Sequence, residues 1–162
     1  MQTAAQIIAA LDLAPHPEGG IFRETWCHDA GPDARGAGTA IYFLLRDRDR
    51  SHWHRVDADE LQHFHAGAPL TLWRAPDAST APDEAVLGVD LAAGEQPQLR
   101  VPASWWQAAE STGDWTSSAA RSRPRSRSTA SSWRPPTSNR VAERHACLAC
   151  PPETRTRMMR PS

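Results

Sequence analysis

An all-β domain, a small barrel or double-sheet jelly roll behind one short helix, follows from three features of this 162-residue sequence. Short segments rich in leucine, β-branched and aromatic residues recur between residues 21 and 109, each closed off by Gly, Pro or Asp. Helical spacing of apolar residues is confined to the N-terminus. From Thr116 onward apolar content collapses, with Val141 and Leu148 the only Ile, Leu, Val or Phe residues up to Ser162. A segment that poor in apolar surface cannot offset the entropy of ordering it, so residues 116–162 are expected to be a disordered basic tail.

The elements follow in order. Residues 3–13 are helix formers with one apolar stripe, Thr3 is the expected N-cap, and Pro15 ends the segment. The run P-H-P-E-G-G at 15–20 is a fixed turn that delivers a strand at 21–26. A Gly/Asp/Pro-rich loop over 27–38 leads to T-A-I-Y-F-L-L at 39–45, apolar on both faces and therefore central. After a charged turn at 47–50 come two short strands around residues 51–67, then 69–74, 85–91, 98–101 and 104–109. Seven or eight such strands can enclose a ligand cavity lined by alternate side chains.

Charge is divided unevenly along the chain. Residues 1–115 hold 8 Arg against 17 Asp and Glu, a balance of −9, whereas residues 116–162 hold 10 Arg against 2 Glu, a balance of +8. Lysine is absent and asparagine occurs once, the signature of a GC-rich gene, so the arginines report codon usage before phosphate recognition. The Arg/Ser run at 121–128 offers only nonspecific attraction to nucleic acid. No signal-peptide pattern opens the chain and no apolar run reaches about 18 residues, so neither secretion nor membrane insertion is expected. Three cysteines, Cys27, Cys147 and Cys150, form no even disulfide framework, which points to the cytoplasm. His145-x-Cys147-x-x-Cys150 lacks the second ligand pair of a zinc site.

Chemistry concentrates in Ser51–Gly67, which contains His52, His54, Glu60, His63 and His65. On a strand, His52 and His54 at i, i+2 project from one face. A turn at 57–59 would then bring Glu60 across a hairpin to them. Two imidazoles and a carboxylate make either a metal site or an acid/base pocket. Alternation places Gln62 and Phe64 on the face of Glu60 and turns His63 and His65 the other way, toward the surface or a subunit interface. Arg23, just after the fixed turn, is expected at the barrel mouth, where it would clamp an anionic ligand. Tyr42 is core packing by default and otherwise a pocket donor. Of Trp105 and Trp106 one faces in and one out; Trp106 is the candidate pocket wall, with Gln107 beside it as a polar contact.

Several of these segments together resemble one family. P-H-P-E-G-G-x-F-R-E-T at 15–25, T-A-I-Y-F-L-L at 39–45, H-R-V-D-A-D-E at 54–60, H-A-G-A-P-L at 65–70, L-G-x-D at 87–90 and V-P-A-S-W-W-Q-A-A at 101–109 are similar to the cupin-5 (DUF985) family. The resemblance implies a cupin double-stranded β-helix over residues 1–115, short of its last strands, and a homodimer in the intact family. Against the superfamily pattern, His52-x-His54 and Glu60-x6-Gly67 fit, five residues rather than three or four separate His54 from Glu60, and Gln107 replaces the second motif's histidine. A metal site of that kind would use His52, His54 and Glu60, and a divalent ion is the only cofactor it suggests. Relatives continue with apolar strands where this chain turns to Arg, Ser and Pro. GC-rich codons for 117–136 shifted by one nucleotide can read L-V-G-C-T-V-A-P-A-F-A-F-D-G-F-E-L-A-P-P, so a frame change near Thr116 is expected.

The function expected is binding of a small polar metabolite in the barrel, as a sugar epimerase- or isomerase-like enzyme with Glu60 and His54 as acid and base. Arg23, Tyr42, Gln62, Trp106 and Gln107 are its substrate contacts. A non-catalytic ligand-binding or sensor protein, or an inactive frameshifted product, is the alternative; no membrane and no specific nucleic acid partner is expected.

Overall fold

The computed structural model describes residues 2–28, 36–47 and 49–124, with the side chains of 123 and 124 excepted. One helix, α1 (Ala4–Leu11), precedes ten strands: β1 (Ala14–Pro15), β2 (Ile21–Cys27), β3 (Thr39–Arg46), β4 (His54–Arg55), β5 (Ala58–Gly67), β6 (Leu70–Ala75), β7 (Asp83–Leu87), β8 (Gln98–Val101), β9 (Trp106–Ser111) and β10 (Trp115–Pro124). A 3-10 turn at Leu91–Ala93 occupies the end of the segment expected to be strand through residue 91, because Asp90 caps it with its carboxylate on two backbone N–H groups.

The strands form two antiparallel sheets. One has the order β1-β2-β3-β10-β5-β8 and the other β4-β9-β6-β7. They face one another as a jelly roll without closing into a single hydrogen-bonded barrel among the described residues. No described helix is long and apolar enough to cross a membrane.

Thr3 caps α1 through a reciprocal capping box with Gln6, and Asp12 ends it in a left-handed conformation. The helix packs Ile7 against Leu13, Ile21 and Leu44 on the outside of the six-stranded sheet. That explains the unbroken apolar run of β3: Leu44 meets the helix, while Leu45 enters the core between the sheets. The inter-sheet core consists of Leu45, Leu70, Leu72, Leu87, Leu99, Val101 and Ala109, flanked by Phe43, Phe64, Ala85 and Trp105. Each of its large apolar side chains contributes roughly 1.5–3 kcal/mol by leaving water.

One strand departs from expectation. Residues 116–124, placed outside the barrel by the boundary at 115, continue from Trp115 as β10, a central strand. It pairs with β3 from Trp115↔Arg46 to Ser122↔Thr39 and with β5 from Thr116↔Gly67 to Pro124↔Ala58. Backbone N–H and C=O groups satisfied on both edges hold it there, so strand formation does not depend on apolar side chains. Thr116 adds hydrogen bonds from its hydroxyl to the Ala68 carbonyl (2.7 Å) and with Ser111 (2.7 Å). The expected disorder of the remaining tail, and His145, Cys147 and Cys150, lie outside the described residues.

Candidate functional site

Between the sheets, beside the apolar core, lies a cavity of about 140 Å³. Its polar end is built from both sheets. Glu60 and Gln62 come from β5, His54 from β4 and Gln107 from β9, with Glu18 supplied by the turn before β2. Its walls include Phe22, Ile41, Phe43, Leu70 and Leu72.

The Ser51–Gly67 segment is not a hairpin. His54 pairs with Gln107 across β4 and β9, whereas Glu60 belongs to the other sheet, between β10 and β8. Val56 and Asp57 carry the chain from one sheet to the other, so imidazole and carboxylate meet across the cavity instead of along a turn. The His52/His54 alternation also fails: β4 begins at His54, and residues 51–53 are not strand. His52 is exposed and off the cavity lining. Its backbone still organises the site, as its N–H donates to the Glu18 carbonyl (2.7 Å) and its carbonyl accepts from His54 Nδ1 (2.7 Å). His54 Nε2 is thereby turned toward Glu18, 3.5 Å from Oε2.

Glu60 is the buried centre of this arrangement. Gln62 Nε2 donates to its Oε1 at 2.8 Å and Gln107 Nε2 to its Oε2 at 2.6 Å. Gln107 itself is 2% exposed. Burial pushes the Glu60 carboxyl above its usual range; nearby His54 and the amide donors oppose that shift, and the Glu18 carboxylate adds to it. A carboxyl so placed is able to hold a proton that an exposed glutamate would have lost.

Three expected contacts lie elsewhere. Arg23 and Tyr42 are cross-strand partners on the outer face of the six-stranded sheet, where the guanidinium sits 5.7 Å from the ring centre. Strand parity explains it: Phe22 and Glu24 line the cavity, so Arg23 between them points away. Trp106 is buried on the face opposite Gln107 and lies under the Arg55 guanidinium, 5.1 Å away. It is Trp105, of Gln107's parity, that packs against the inter-sheet core. His63 and His65 face outward, His63 toward Gln98 and His65 toward Tyr42.

The sequence reading missed His16, Glu18 and Glu24. His16 and Glu18 sit in the P-H-P-E-G-G turn, recognised as rigid but not as part of a site. There the Glu18 N–H donates to His16 Nδ1 (3.1 Å), and the His16 N–H closes the turn on the Gly20 carbonyl (2.9 Å). Gly19 is left-handed at φ +94°, and a Cβ on it would stand 2.6 Å from the Arg50 carbonyl oxygen. Glu24 was recoverable from its parity with Phe22.

The donor set does not suit a divalent metal as it stands. Both Glu60 oxygens take amide N–H groups, His54 Nε2 faces Glu18, and His52 is outside the cavity. Among the described residues no group of three or more His, Cys, Asp or Glu side chains is gathered to ligate an ion.

Known structures and families place the fold. A Shewanella oneidensis protein solved by crystallography is 37% identical, with 76% of this chain and 79% of that one superposed at a TM-score of 0.71. A hypothetical protein from Leishmania major is 28% identical, over 76% of this chain and 82% of its own, at 0.69. A Bacillus subtilis oxalate decarboxylase, described with Mn(II) centers, shares 13% identity over 73% of this chain and 29% of its own, at 0.53, a likeness of fold alone. No curated protein matches the chain. Residues 5–120 match the family described as Cupin superfamily (DUF985), and with the Shewanella relative beside it this chain belongs to that family of cupins.

Proposed function

We propose that the protein binds a small polar metabolite in the cavity between its sheets and acts on it by proton transfer, with Glu60 and His54 as the acid/base pair. The observation that carries this proposal is a buried glutamate, its carboxyl raised by desolvation, sharing one cavity with an imidazole fixed at its other nitrogen. Nδ1 of His54 donates to the His52 carbonyl, so Nε2 is the atom that takes or gives a proton. A protonated Glu60 supplies the complementary acid. Two such groups on opposite sides of a ligand are what an epimerase- or isomerase-like reaction needs: one removes a proton, the other returns one. Gln62 and Gln107 hold Glu60 in place; Arg23, Tyr42 and Trp106 have no part in it. No step is assigned to a metal, and pairing into a homodimer is carried over from cupins generally.

A non-catalytic binding or sensor role is favoured by one feature. Both Glu60 oxygens are already occupied by amide donors, which suits a fixed acceptor as well as a proton carrier. Incubating the protein with aldoses and ketoses in deuterium oxide separates the two. Deuterium entering a sugar carbon, and lost in Glu60→Gln, supports proton transfer. Binding without exchange supports the sensor role, and unchanged exchange in Glu60→Gln removes Glu60 from the mechanism.

A further inference from the structure

The outer face of the six-stranded sheet carries a row of polar side chains that the cavity does not use. Cross-strand pairing runs Arg23↔Tyr42, Tyr42↔Ala119, Ala119↔His63 and His63↔Gln98, through β2, β3, β10, β5 and β8. Two residues further along β10, Arg121 pairs with Ala40 on one side and Leu61 on the other. Parity puts this set outside, because the neighbours Phe22, Ile41, Gln62 and Ala120 line the cavity. His65 joins the row across a bulge, where the β5 register shifts between Phe64 and Ala66, and its ring meets Tyr42 edge-to-face with centroids 6.1 Å apart. On these five strands Asp59 is the carboxylate that parity places on the same face, and it already accepts from Arg100 at 2.8 Å. Among the described residues neither Arg23 nor Arg121 is in an ion pair, and Arg121 is exposed.

We propose that this outer face binds a phosphate group, free or as a monoester, with Arg23 and Arg121 closing on it over Ala119 and with His63 and His65 as N–H donors beside it. Two strand gaps across the sheet and two residues along it set the arginine Cα atoms about 12 Å apart, a span that two long side chains can close around one anion. Ala40 and Ala119, half-buried and bearing only a methyl each, leave low ground between Tyr42, His63 and Leu61 for it. The planar guanidinium fork matches phosphate oxygens, and a dianion is drawn by both arginines at once. Burial and the nearby His63 hold the His65 imidazole below its ordinary value, so near neutrality it meets the ligand as an uncharged donor. The same two arginines repel a metal cation, which an i, i+2 pair of imidazoles would otherwise attract. This site is separate from the cavity, on the opposite face of β3, β10 and β5.

Tyr42 is the only tyrosine in the chain, so fluorotyrosine labelling gives one NMR signal that reports this face and not the arginines after residue 124. Inorganic phosphate, methyl phosphate and acetate are each titrated into the full chain at pH 7 and constant ionic strength. The phosphates are expected to move the Tyr42 signal saturably, with an affinity at least about fivefold above that of acetate. Arg23→Gln and Arg121→Gln should each weaken that binding at least about threefold, with the circular dichroism unchanged. A saturable shift with either phosphate supports the site, and the tighter of the two says whether free phosphate or an ester occupies it. A Tyr42 signal that does not move, that acetate moves equally well, or that responds unaltered in both arginine variants overturns the proposal.

Discussion

Replacing Gln107 by leucine tests the site at its most buried bond. Gln107 Nε2 lies 2.6 Å from Glu60 Oε2, both residues are buried, and leucine keeps the bulk while removing the donor. When Glu60 is ionised this is a charge-assisted hydrogen bond, worth about 1.5–3 kcal/mol; against a protonated Glu60 it falls to about 0.5–1.5 kcal/mol. The sign with pH follows from the direction of the shift. The folded-state pKa of Glu60 is raised, so its contribution to stability is fully present below the unfolded carboxyl range and is lost as pH rises through the folded value. Gln107 opposes that rise, so without it the loss steepens. At roughly 2–4 °C per kcal/mol for a chain of this size, Gln107→Leu should melt roughly 3–12 °C below the parent at pH 8, with the gap about halved or less at pH 5. Thermal unfolding followed by circular dichroism at both pH values measures it. A gap equal at the two pH values would mean that Glu60 does not change its ionisation between them in the folded chain, and the acid/base assignment would lose its foundation.

Glu60→Gln should retain the fold and flatten the decline in melting temperature between pH 5 and pH 8, because the group whose ionisation opposes folding is gone; an undiminished decline would assign it to other groups. Gly67→Ala should destabilise by about 2 kcal/mol or more in urea unfolding, since φ is +96° and a Cβ would stand 2.3 Å from the Trp115 carbonyl oxygen; a cost below about 0.5 kcal/mol would contradict that geometry. A chain ending after residue 124 should fold, whereas one ending after residue 115 should not, because the second lacks the strand between β3 and β5; a cooperative unfolding transition in the shorter chain would restore the boundary at 115. Ser118→Val, Ala120→Cys and Ser122→Val together follow the shifted reading frame and should raise stability by about 1–3 kcal/mol at roughly 0.8 kcal/mol per buried methylene. Destabilisation by the triple variant, or a gene whose codons cannot spell the shifted text, would count against the frame change.

Much of the architecture was legible because its causes are local. The capping box at Thr3 and Gln6, the apolar run of β3 and the alternation that turns Glu60 and Gln62 inward and His63 outward are all written within a few residues. Three things were not. His54 and Glu60 look like the arms of one hairpin because they are close in sequence, and nothing local says that Val56 and Asp57 cross between sheets. Arg23 drew attention through its charge, although its neighbours Phe22 and Glu24 had already fixed which face was inside. β10 carries Ser, Ala and Arg where an interior strand ordinarily shows apolar alternation, and only its two backbone ladders reveal it.

The composition of β10 has a further consequence for the cavity. Ala120 and Ser122 are part of its lining, so small side chains on this strand leave space that larger ones would fill. The chemistry does not depend on them. His54, Glu60, Gln62 and Gln107 are carried by β4, β5 and β9, and His16 and Glu18 by the turn before β2. β10 contributes to the polar end through its backbone, since Ser122 pairs with Glu60 and Ala120 with Gln62 in the ladder that fixes their register. A slip of one residue there would turn Glu60 and Gln62 to the outer face and empty the site of its acid. Altering side chains on β10 therefore changes how much the cavity holds, whereas altering its pairing decides whether the cavity has any chemistry at all.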